Sequence, residues 1–368
     1  MTSSVYIHIP FCKSICSYCD FCKLLYNDKF VDRYLDSLFD EVKTNYKGEV
    51  IKTLYIGGGT PSSLSIKQLE KLFLIIKLFK LDKSLEFSFE VNVSDINEKL
   101  LSYLESNGVN RLSIGIETVN EKFMPFLNRY NSRDLVIEKI NLVKKYFDNF
   151  NLDLMYAFPN QTINDVLEDL SFVVSLNPKH ISIYSLILEE HTKLFIEGVK
   201  PIDEDLESNM YYKITDYLKE NSYNHYEISN FSKSGYESKH NLVYWNNNEY
   251  YGFGLGASGF VSNIRYTNTR NINNYFKGNY IFEKEEMSLK INMENELIFG
   301  LRKIRGVNKK EFFDKFGFKI NDIFDIIRLV DNKCLIDDGE YIYIPHDKLY
   351  VSNSILVNFI GGSNNDEK

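Results

Sequence analysis

Short apolar runs alternate with amphipathic segments through the first half of the chain. The runs predict strands over residues 5–9, 50–56, 85–91, 111–116, 152–156 and 180–186. Apolar positions at helical spacing predict helices over residues 29–45, from 65 onwards, and over 95–106, 132–147 and 162–176. This alternation indicates βαβ units and a parallel sheet. Six units are fewer than the eight of a closed barrel, so we predict an α/β fold, an open partial (β/α)6 barrel with its chemistry at the carboxyl ends of the strands.

The pattern changes in the second half. A helix is predicted over residues 204–219 and a strand over 224–228, whereas 235–275 shows little periodicity. Helical patterns at 294–303, 309–316 and 323–330, a ribbon at 335–344 and a last helix at 352–360 predict a small α+β domain of winged-helix type. We therefore divide the chain into a barrel (1–230), a connecting region (231–290) and a C-terminal domain (291–368), whose polar tail, 361–368, is predicted to be disordered.

Composition and charge exclude some classes of partner. The 368 residues are 44% hydrophobic and carry a net charge of −8, which argues against nucleic-acid binding because such binding rests on Lys and Arg. No run approaches the roughly 20 apolar residues of a membrane span, and no signal peptide precedes the first strand. We expect a cytoplasmic protein, in which clustered cysteines more often bind metal than form disulfides.

Four of the five cysteines lie between residues 12 and 22. Cys12, Cys16 and Cys19 form a CxxxCxxC motif just after the first predicted strand, and closely spaced thiolates on one loop suit a [4Fe–4S] cluster. Three ligands leave one iron open for a further ligand. The alternative is a structural zinc site, but this usually pairs two CxxC-type elements and the chain has no second pair. Cys22 is a spare thiol, a fourth ligand or a core residue.

The motif and its surroundings resemble the radical S-adenosylmethionine (SAM) superfamily, in the branch of oxygen-independent coproporphyrinogen III oxidases and HemW-type heme chaperones. The matching segments are YIHIP (6–10) before the cysteines, GGGTP (57–61), NRLSIG (110–115), NLDL (151–154), YSL (184–186), YEISNF (226–231) and HNLVYW (240–245). Together they extend over nearly the whole chain. The resemblance implies a partial barrel that binds a [4Fe–4S] cluster and SAM.

The resemblance also implies roles for single residues. Gly58, Gly59 and Thr60 would contact the amino-acid part of SAM, since glycines after a strand allow a ligand to approach the backbone. The further cofactor-binding positions are Tyr6 beside the cluster and SAM, Glu90 at the ribose hydroxyls, and Arg129 and Asp153 around the nucleotide pocket. No residue is assigned a catalytic role.

Two positions depart from the family pattern. Glu117 stands where the family usually has glutamine, and an ionised carboxylate accepts hydrogen bonds but does not donate them. Glu117 would lie in the SAM pocket, so the change bears on ligand binding there. The segment 157–160 reads AFPN where the family usually has GLPG.

Features outside the barrel distinguish the two branches. The oxidases carry an N-terminal extension and a CxC after the motif, whereas here position 21 is Phe and the next cysteine is Cys22. HNLVYW resembles a segment associated with heme binding in the chaperones, which makes His240 a candidate axial ligand. The alternative for His240 is a hydrogen-bonded core histidine beside aromatic side chains.

The function predicted is that of a HemW-type heme chaperone, which binds a [4Fe–4S] cluster, SAM and heme. Its partners would be heme and heme-accepting proteins such as respiratory hemoproteins, with peripheral membrane contact during delivery. A chaperone needs no turnover of a porphyrin substrate. The alternatives are oxidative decarboxylation of coproporphyrinogen, another radical SAM modification of a porphyrin, and a zinc-stabilised binding module.

Overall fold

A nine-stranded sheet forms the centre of the computed structural model, which describes residues 2–361. Its strands are β1 (Ser4–Ile9), β2 (Val50–Gly58), β3 (Lys80–Asn92), β4 (Arg111–Glu117), β5 (Phe150–Tyr156), β6 (His180–Ser185), β7 (Asn224–Glu227), β8 (Asn230–Ser232) and β9 (Tyr251–Phe253). Their order in space is β9-β1-β2-β3-β4-β5-β6-β8-β7. All neighbours from β9 to β6 are parallel, and β8 is antiparallel to both β6 and β7. The predicted open, partial barrel is confirmed.

Helices cover the outer face of the sheet. They are α1 (Asp28–Asn45), α2 (Ile66–Ile76), α3 (Glu98–Ser106), α4 (Arg133–Val143), α5 (Ile163–Ser175) and α6 (Glu204–Glu220). Each helix is preceded by a residue whose side chain accepts a hydrogen bond from a backbone N–H of the first turn. Asn27 has this role for α1, and Ser65 and Gln68 form a capping box for α2. The helix predicted from residue 95 begins at Glu98, because Val93–Asp95 forms a 3-10 turn and Asn97 caps the helix.

The opposite face of the sheet, which we call the lumen face, is polar. Because strand side chains alternate, Leu54 and Phe89 join the apolar core with the helices while their neighbours turn inward. The buried polar residues of the inward set are Thr53, Glu86, Ser88, Arg111, Ser113, Asn151, His180 and Ser182. Buried polar groups require hydrogen-bond partners, so this face is where ligands or internal networks are expected.

The segment of weak periodicity, 235–275, contains ordered elements. A short helix, α7 (Lys239–Trp245), precedes β9, which pairs in parallel with β1. Three antiparallel strands follow, Ser258–Val261, Ile264–Asn268 and Ile281–Glu286.

A buried carboxylate fastens this segment to helix α1. Glu41 accepts hydrogen bonds from the backbone N of Gly254 at 2.9 Å, Nδ2 of Asn268 at 2.6 Å and the hydroxyl of Tyr275 at 2.5 Å. Burial raises the pKa of Glu41 to about 7. The Glu41 carboxylate therefore stabilises the segment that follows the edge strand β9, although the sequence pattern does not mark this residue.

The C-terminal region has the predicted α+β composition. Its helices are Leu289–Gly300, Lys309–Phe316, Ile320–Ile323, Ile326–Asp331 and Ser352–Leu356, and a small sheet pairs Val307–Asn308 and Ile336–Asp337 with Tyr341–Tyr343. The helix predicted over 323–330 is present as Ile326–Asp331, but its predicted start is wrong, because Phe324 is extended and Asp325 caps the helix. The buried side chains of the C-terminal region join the main apolar core, and the three domain limits stay a prediction.

The predicted disorder of the tail falls on 362–368, outside the described residues. No helix within 2–361 is long and apolar enough to cross a membrane.

Candidate functional site

The cysteine loop follows β1 and is closed at its base. Phe11–Cys12 pairs in parallel with Leu24–Leu25. The N of Leu24 donates to the carbonyl of Pro10 at 2.7 Å, and the N of Tyr26 donates to the carbonyl of Cys12 at 2.9 Å. All four cysteines between these ends are free thiols, with Cys12 buried and Cys16, Cys19 and Cys22 partly buried. The loop therefore has the compact form that a cluster with closely spaced ligands needs.

The far side of the loop is held by the connections after β4 and β6. The N of Ser17 donates to the carbonyl of Leu127, and the N of Leu194 donates to the carbonyl of Ser17, both at 3.2 Å. Asn128 adds a bond from its Nδ2 to the carbonyl of Ile15 at 2.9 Å. These contacts place the cysteines over the carboxyl ends of the strands.

The surroundings of the thiols suit a cluster. A Cβ added to Gly59 would lie 2.9 Å from Sγ of Cys12, so the glycine leaves room beside that thiol. Burial raises the pKa of Cys16 to about 11, so binding of a metal there must release a proton. Within 2–361 no three His, Cys, Asp or Glu side chains converge on one metal position. The ligands of a cluster bind different iron atoms and need not converge.

His8 connects the loop to the first strand. Its Nε2 lies 2.7 Å from the carbonyl of Cys22, and its Nδ1 lies 3.0 Å from the hydroxyl of Tyr6. A carbonyl only accepts, so Nε2 carries the proton and Nδ1 accepts from Tyr6. Burial lowers the pKa of His8 to about 4, which keeps the ring neutral. Tyr6 is therefore linked to the cysteine loop through His8, and its place beside a cluster and SAM stays a prediction.

The glycine segment after β2 lies against Glu90. The carboxylate accepts from the backbone N of Gly58 and from the hydroxyl of Tyr55, each at 2.9 Å. A Cβ on Gly57 would lie 2.6 Å from Oε1 of Glu90, and Gly58 has a φ of +120°, which favours glycine. Burial raises the pKa of Glu90 to about 7. A carboxylate has about four acceptor positions, so Glu90 retains capacity for ribose hydroxyls.

A polar network runs along the carboxyl ends of β2, β3 and β4. Nδ2 of Asn92 lies 3.3 Å from Oγ1 of Thr60, and Oδ1 of Asn92 accepts from Nη1 of Arg129 at 2.7 Å. Nη2 of Arg129 forms an ion pair with Oε1 of Glu117 at 2.9 Å. Asn92 was missed from the sequence, because a lone asparagine after a strand carries no distinctive signal.

This network has unused hydrogen-bonding groups. Oε2 of Glu117 and Nε of Arg129 are buried without a partner within the described part of the chain. Glu117 has a φ of 62°, in the left-handed region that is uncommon for a glutamate, and burial raises its pKa. Unpartnered polar groups beside the cysteine loop fit a ligand that carries both an ammonium and a carboxylate group, as SAM does.

Asp153 lies one strand further along. It is paired with Gly115 of β4 in register and accepts from Asn151 at 2.7 Å and Ser113 at 3.1 Å. Burial raises its pKa. Six predicted cofactor positions, Gly58, Gly59, Thr60, Glu90, Glu117 and Arg129, therefore lie together at one edge, with Tyr6 and Asp153 on the adjoining lumen face.

His240 lies apart from this edge, against β2. Its Nδ1 is 2.9 Å from Oγ1 of Thr53, which is about 16 Å along the strand from Gly58. Its Nε2 is 2.8 Å from the hydroxyl of Tyr244, and its ring stacks on Tyr55 with centroids 5.3 Å apart. The side chain is 1% exposed, and burial lowers its pKa to about 3. Both ring nitrogens are bonded within the protein, so in this conformation neither is open to a heme iron.

The comparisons with known proteins agree with this geometry. The family model of the radical SAM superfamily matches residues 6–173. Coproporphyrinogen III oxidase from Escherichia coli, a radical SAM enzyme, superposes with a TM-score of 0.85 at 20% identity, over 97% of this chain and 90% of the oxidase. At that identity the likeness concerns the fold alone. The fold and the cysteine loop together define a radical SAM protein, which implies a [4Fe–4S] cluster and SAM as cofactors.

Sequence relatives narrow the class further. The chain is 37% identical to the heme chaperone HemW of Lactococcus lactis, over 97% of both proteins. It is 36% identical to the heme chaperone HemW of Bacillus subtilis, over 97% of this chain and 99% of the relative. The chain therefore belongs to the HemW family of heme chaperones.

Proposed function

We propose that this protein is a heme chaperone that binds a [4Fe–4S] cluster, SAM and heme, and passes heme to acceptor hemoproteins. The observation that carries the proposal is the 37% identity to a heme chaperone over 97% of both chains. The cysteine loop also differs from that of the oxidase branch. In that branch the motif continues as CxC, whereas here Phe21 stands at the position of the last cysteine.

The residues at the carboxyl ends of the strands, which we call the carboxyl edge, have separate roles in this proposal. Cys12, Cys16 and Cys19 hold the cluster, while Gly58, Gly59 and Thr60 receive the amino-acid part of SAM. Glu90 accepts from the ribose, and Glu117, Arg129 and Asp153 surround the rest of the pocket beside Tyr6. When bound, a cluster held by these cysteines would supply one-electron chemistry next to the SAM pocket.

His240 is the proposed axial ligand, and its surroundings define what must change. Oγ1 of Thr53 is near Nδ1, so a proton on Nδ1 leaves the Nε2 lone pair to accept from Tyr244. The Tyr244 hydroxyl then occupies the position that an iron atom needs. We propose that heme binding exchanges the Tyr244 hydrogen bond for the iron bond. Delivery takes place in the cytoplasm, with transient contact at the membrane surface where respiratory acceptors reside.

A heme titration of the cluster-loaded protein under anaerobic conditions tests this proposal through the Soret band. The wild type should bind heme saturably, and His240→Ala should weaken binding and change the axial-ligand spectrum. Tyr244→Phe keeps the ring but removes the competing hydroxyl, so it should bind heme at least as tightly as the wild type.

The controls separate the chaperone from the oxidase. Absence of saturable binding in the wild type would overturn the proposal, and SAM-dependent decarboxylation of coproporphyrinogen would replace it with the oxidase function. Unchanged binding in His240→Ala would leave a chaperone whose heme lies elsewhere. Transfer to an apo-hemoprotein, followed by its own Soret band, is the test of delivery.

A further inference from the structure

Arg111 is a buried arginine without a partner. Its side chain lies on the lumen face at the start of β4 and is 2% exposed, which makes it one of the largest fully buried side chains of residues 2–361. Within residues 2–361 its guanidinium forms no hydrogen bond, ion pair or stacking contact with an aromatic ring, and its Nε is buried unpaired. A buried, unpaired charge is strongly unfavourable, so the position requires an explanation.

A second unpartnered group lies beside it. Ser88 of β3 is the register partner of Arg111, is 0% exposed, and its Oγ also lacks a hydrogen-bond partner within the described residues. Side chains of register partners project from the same face of a sheet. Two adjacent donors, one of them a guanidinium, therefore face the lumen with nothing to donate to.

The nearby carboxylates do not satisfy the guanidinium. Glu90 accepts from Gly58 and Tyr55, and Asp153 accepts from Asn151 and Ser113, but neither accepts a hydrogen bond from Arg111 within residues 2–361. Neither lies within 4 Å of Arg111 among the ion pairs of 2–361. Burial raises the pKa of both carboxyl groups, and the charge of Arg111 opposes this rise without a direct ion pair. Glu86 accepts instead from the backbone N of Lys239 and of His240.

Arg111 and His240 lie at the same level of the barrel. His240 contacts Thr53, whose partner Glu86 is two residues before Ser88, a step of about 7 Å along β3. The guanidinium is also close enough to contribute, after burial, to the lowered pKa of His240 and of His180. A ligand held by His240 would therefore bring its peripheral groups close to Arg111.

We propose that Arg111, assisted by Ser88, is the lumen site for a carboxylate of the bound tetrapyrrole, that is, for one propionate arm. The planar guanidinium offers two parallel donors that match a carboxylate, and the serine hydroxyl offers a third. The assignment rests on the proposed function for the identity of the ligand. It adds a specificity element, because the site distinguishes free propionates from their esters.

The test compares porphyrins with and without free carboxylates. Hemin and hemin dimethyl ester are titrated by the Soret band, and iron-free protoporphyrin IX and its dimethyl ester by quenching of Trp245, which is the one tryptophan of the chain. The wild type should prefer the free acids by roughly 10- to 100-fold. Arg111→Met should abolish this preference by weakening the acids alone, and Arg111→Lys should retain part of it. Arg328→Met, on the C-terminal surface, is the matched control.

A structural role for Arg111 predicts other results. If the guanidinium is unpaired without ligand, Arg111→Met removes a buried charge and the ligand-free protein should melt at the wild-type temperature or above. A lower melting temperature, or an equal loss for acid and ester, would overturn the proposal. Hemin that binds without acid preference would refute this site and leave the chaperone function intact. If only the iron-free acids bind in an Arg111-dependent way, the site stands and the chaperone function fails; if no porphyrin binds, both fail.

Discussion

Replacement of Glu41 by glutamine should make the stability of the protein less dependent on pH. The carboxylate is 2% exposed and accepts three hydrogen bonds, from Gly254, Asn268 and Tyr275. No ion pair to Glu41 is found within 2–361, so the desolvation of the charge is offset by neutral donors only. Burial accordingly raises its pKa from 4.5 to about 7.

The size of the effect follows from the two pKa values. The folded state binds the proton more tightly than the unfolded state, so this group stabilises the fold fully below pH 4.5 and the contribution is lost as the pH rises through 7. The expected loss between pH 5 and pH 8 is about 2 to 3 kcal/mol. With an unfolding entropy of roughly 2.1 cal/mol/K per residue, the corresponding change in melting temperature is about 3 °C.

Thermal unfolding of wild type and Glu41→Gln at pH 5 and pH 8 measures this contribution. The melting temperature of the variant relative to the wild type should be about 3 °C higher at pH 8 than at pH 5. Any fixed cost of an amide among three donors is the same at both pH values and cancels. Glu220→Gln, at the end of α6, controls for loss of one negative charge. An equal difference at both pH values would refute the reasoning, since Glu41 would then be ionised throughout.

Three further predictions concern the carboxyl edge. Cys12→Ser should abolish the visible absorption of the reconstituted cluster, whereas Cys22→Ser should retain it. Gly59→Ala places a Cβ 2.9 Å from Sγ of Cys12 and should lower the iron content per chain. Glu117→Gln removes the carboxylate that pairs with Arg129 at 2.9 Å. The Arg129 guanidinium is then available to the carboxylate of SAM, so SAM should bind roughly 3- to 10-fold more tightly in equilibrium dialysis.

Matched variants distinguish these outcomes from a general loss of structure. Cys334→Ser lies in the C-terminal region and should leave the cluster absorption unchanged. Gly115→Ala would crowd Oε1 of Glu117, at 2.7 Å, rather than a thiol, so it should weaken SAM binding at normal iron content. Loss of the cluster in Cys22→Ser would make Cys22 a ligand. Weaker SAM binding in Glu117→Gln would show that the ion pair organises the pocket.

The sequence predicts the barrel well because its units are local. Each strand and its helix lie within about 45 residues, so the apolar period alone identifies all six units. Strand β9 was missed because it is three residues long and acquires its role only from β1, some 245 residues away. The break at Phe324 was missed because the apolar spacing continues through it, and the cap at Asp325 is visible only in the structure.

The candidate site could be predicted where its residues belong to a recognisable sequence motif. The cysteines and the glycine segment follow from spacing and resemblance, and the structure brings them to one edge. Asn92 and Ser88 carry no sequence signal, because their importance comes from neighbours on other strands. The unpaired state of Arg111 is likewise a property of the assembled lumen. For His240, the sequence left two alternatives open, and its bonds to Thr53 and Tyr244 are those of a hydrogen-bonded core histidine, so heme binding there stays a proposal.

The pairing of β9 with β1 has a consequence for the order of synthesis. Gly254 and Gly256 lie against the carbonyl of His8 and the side chain of Cys22, so the backing of the cysteine loop comes from residues made about 240 positions later. At about 5–20 residues per second, a ribosome exposes Cys12 for roughly 12–50 s before that backing leaves it. During this interval the loop lacks that backing, so we expect a cluster on Cys12, Cys16 and Cys19 to be stably held only after the residues around Gly256 have been made.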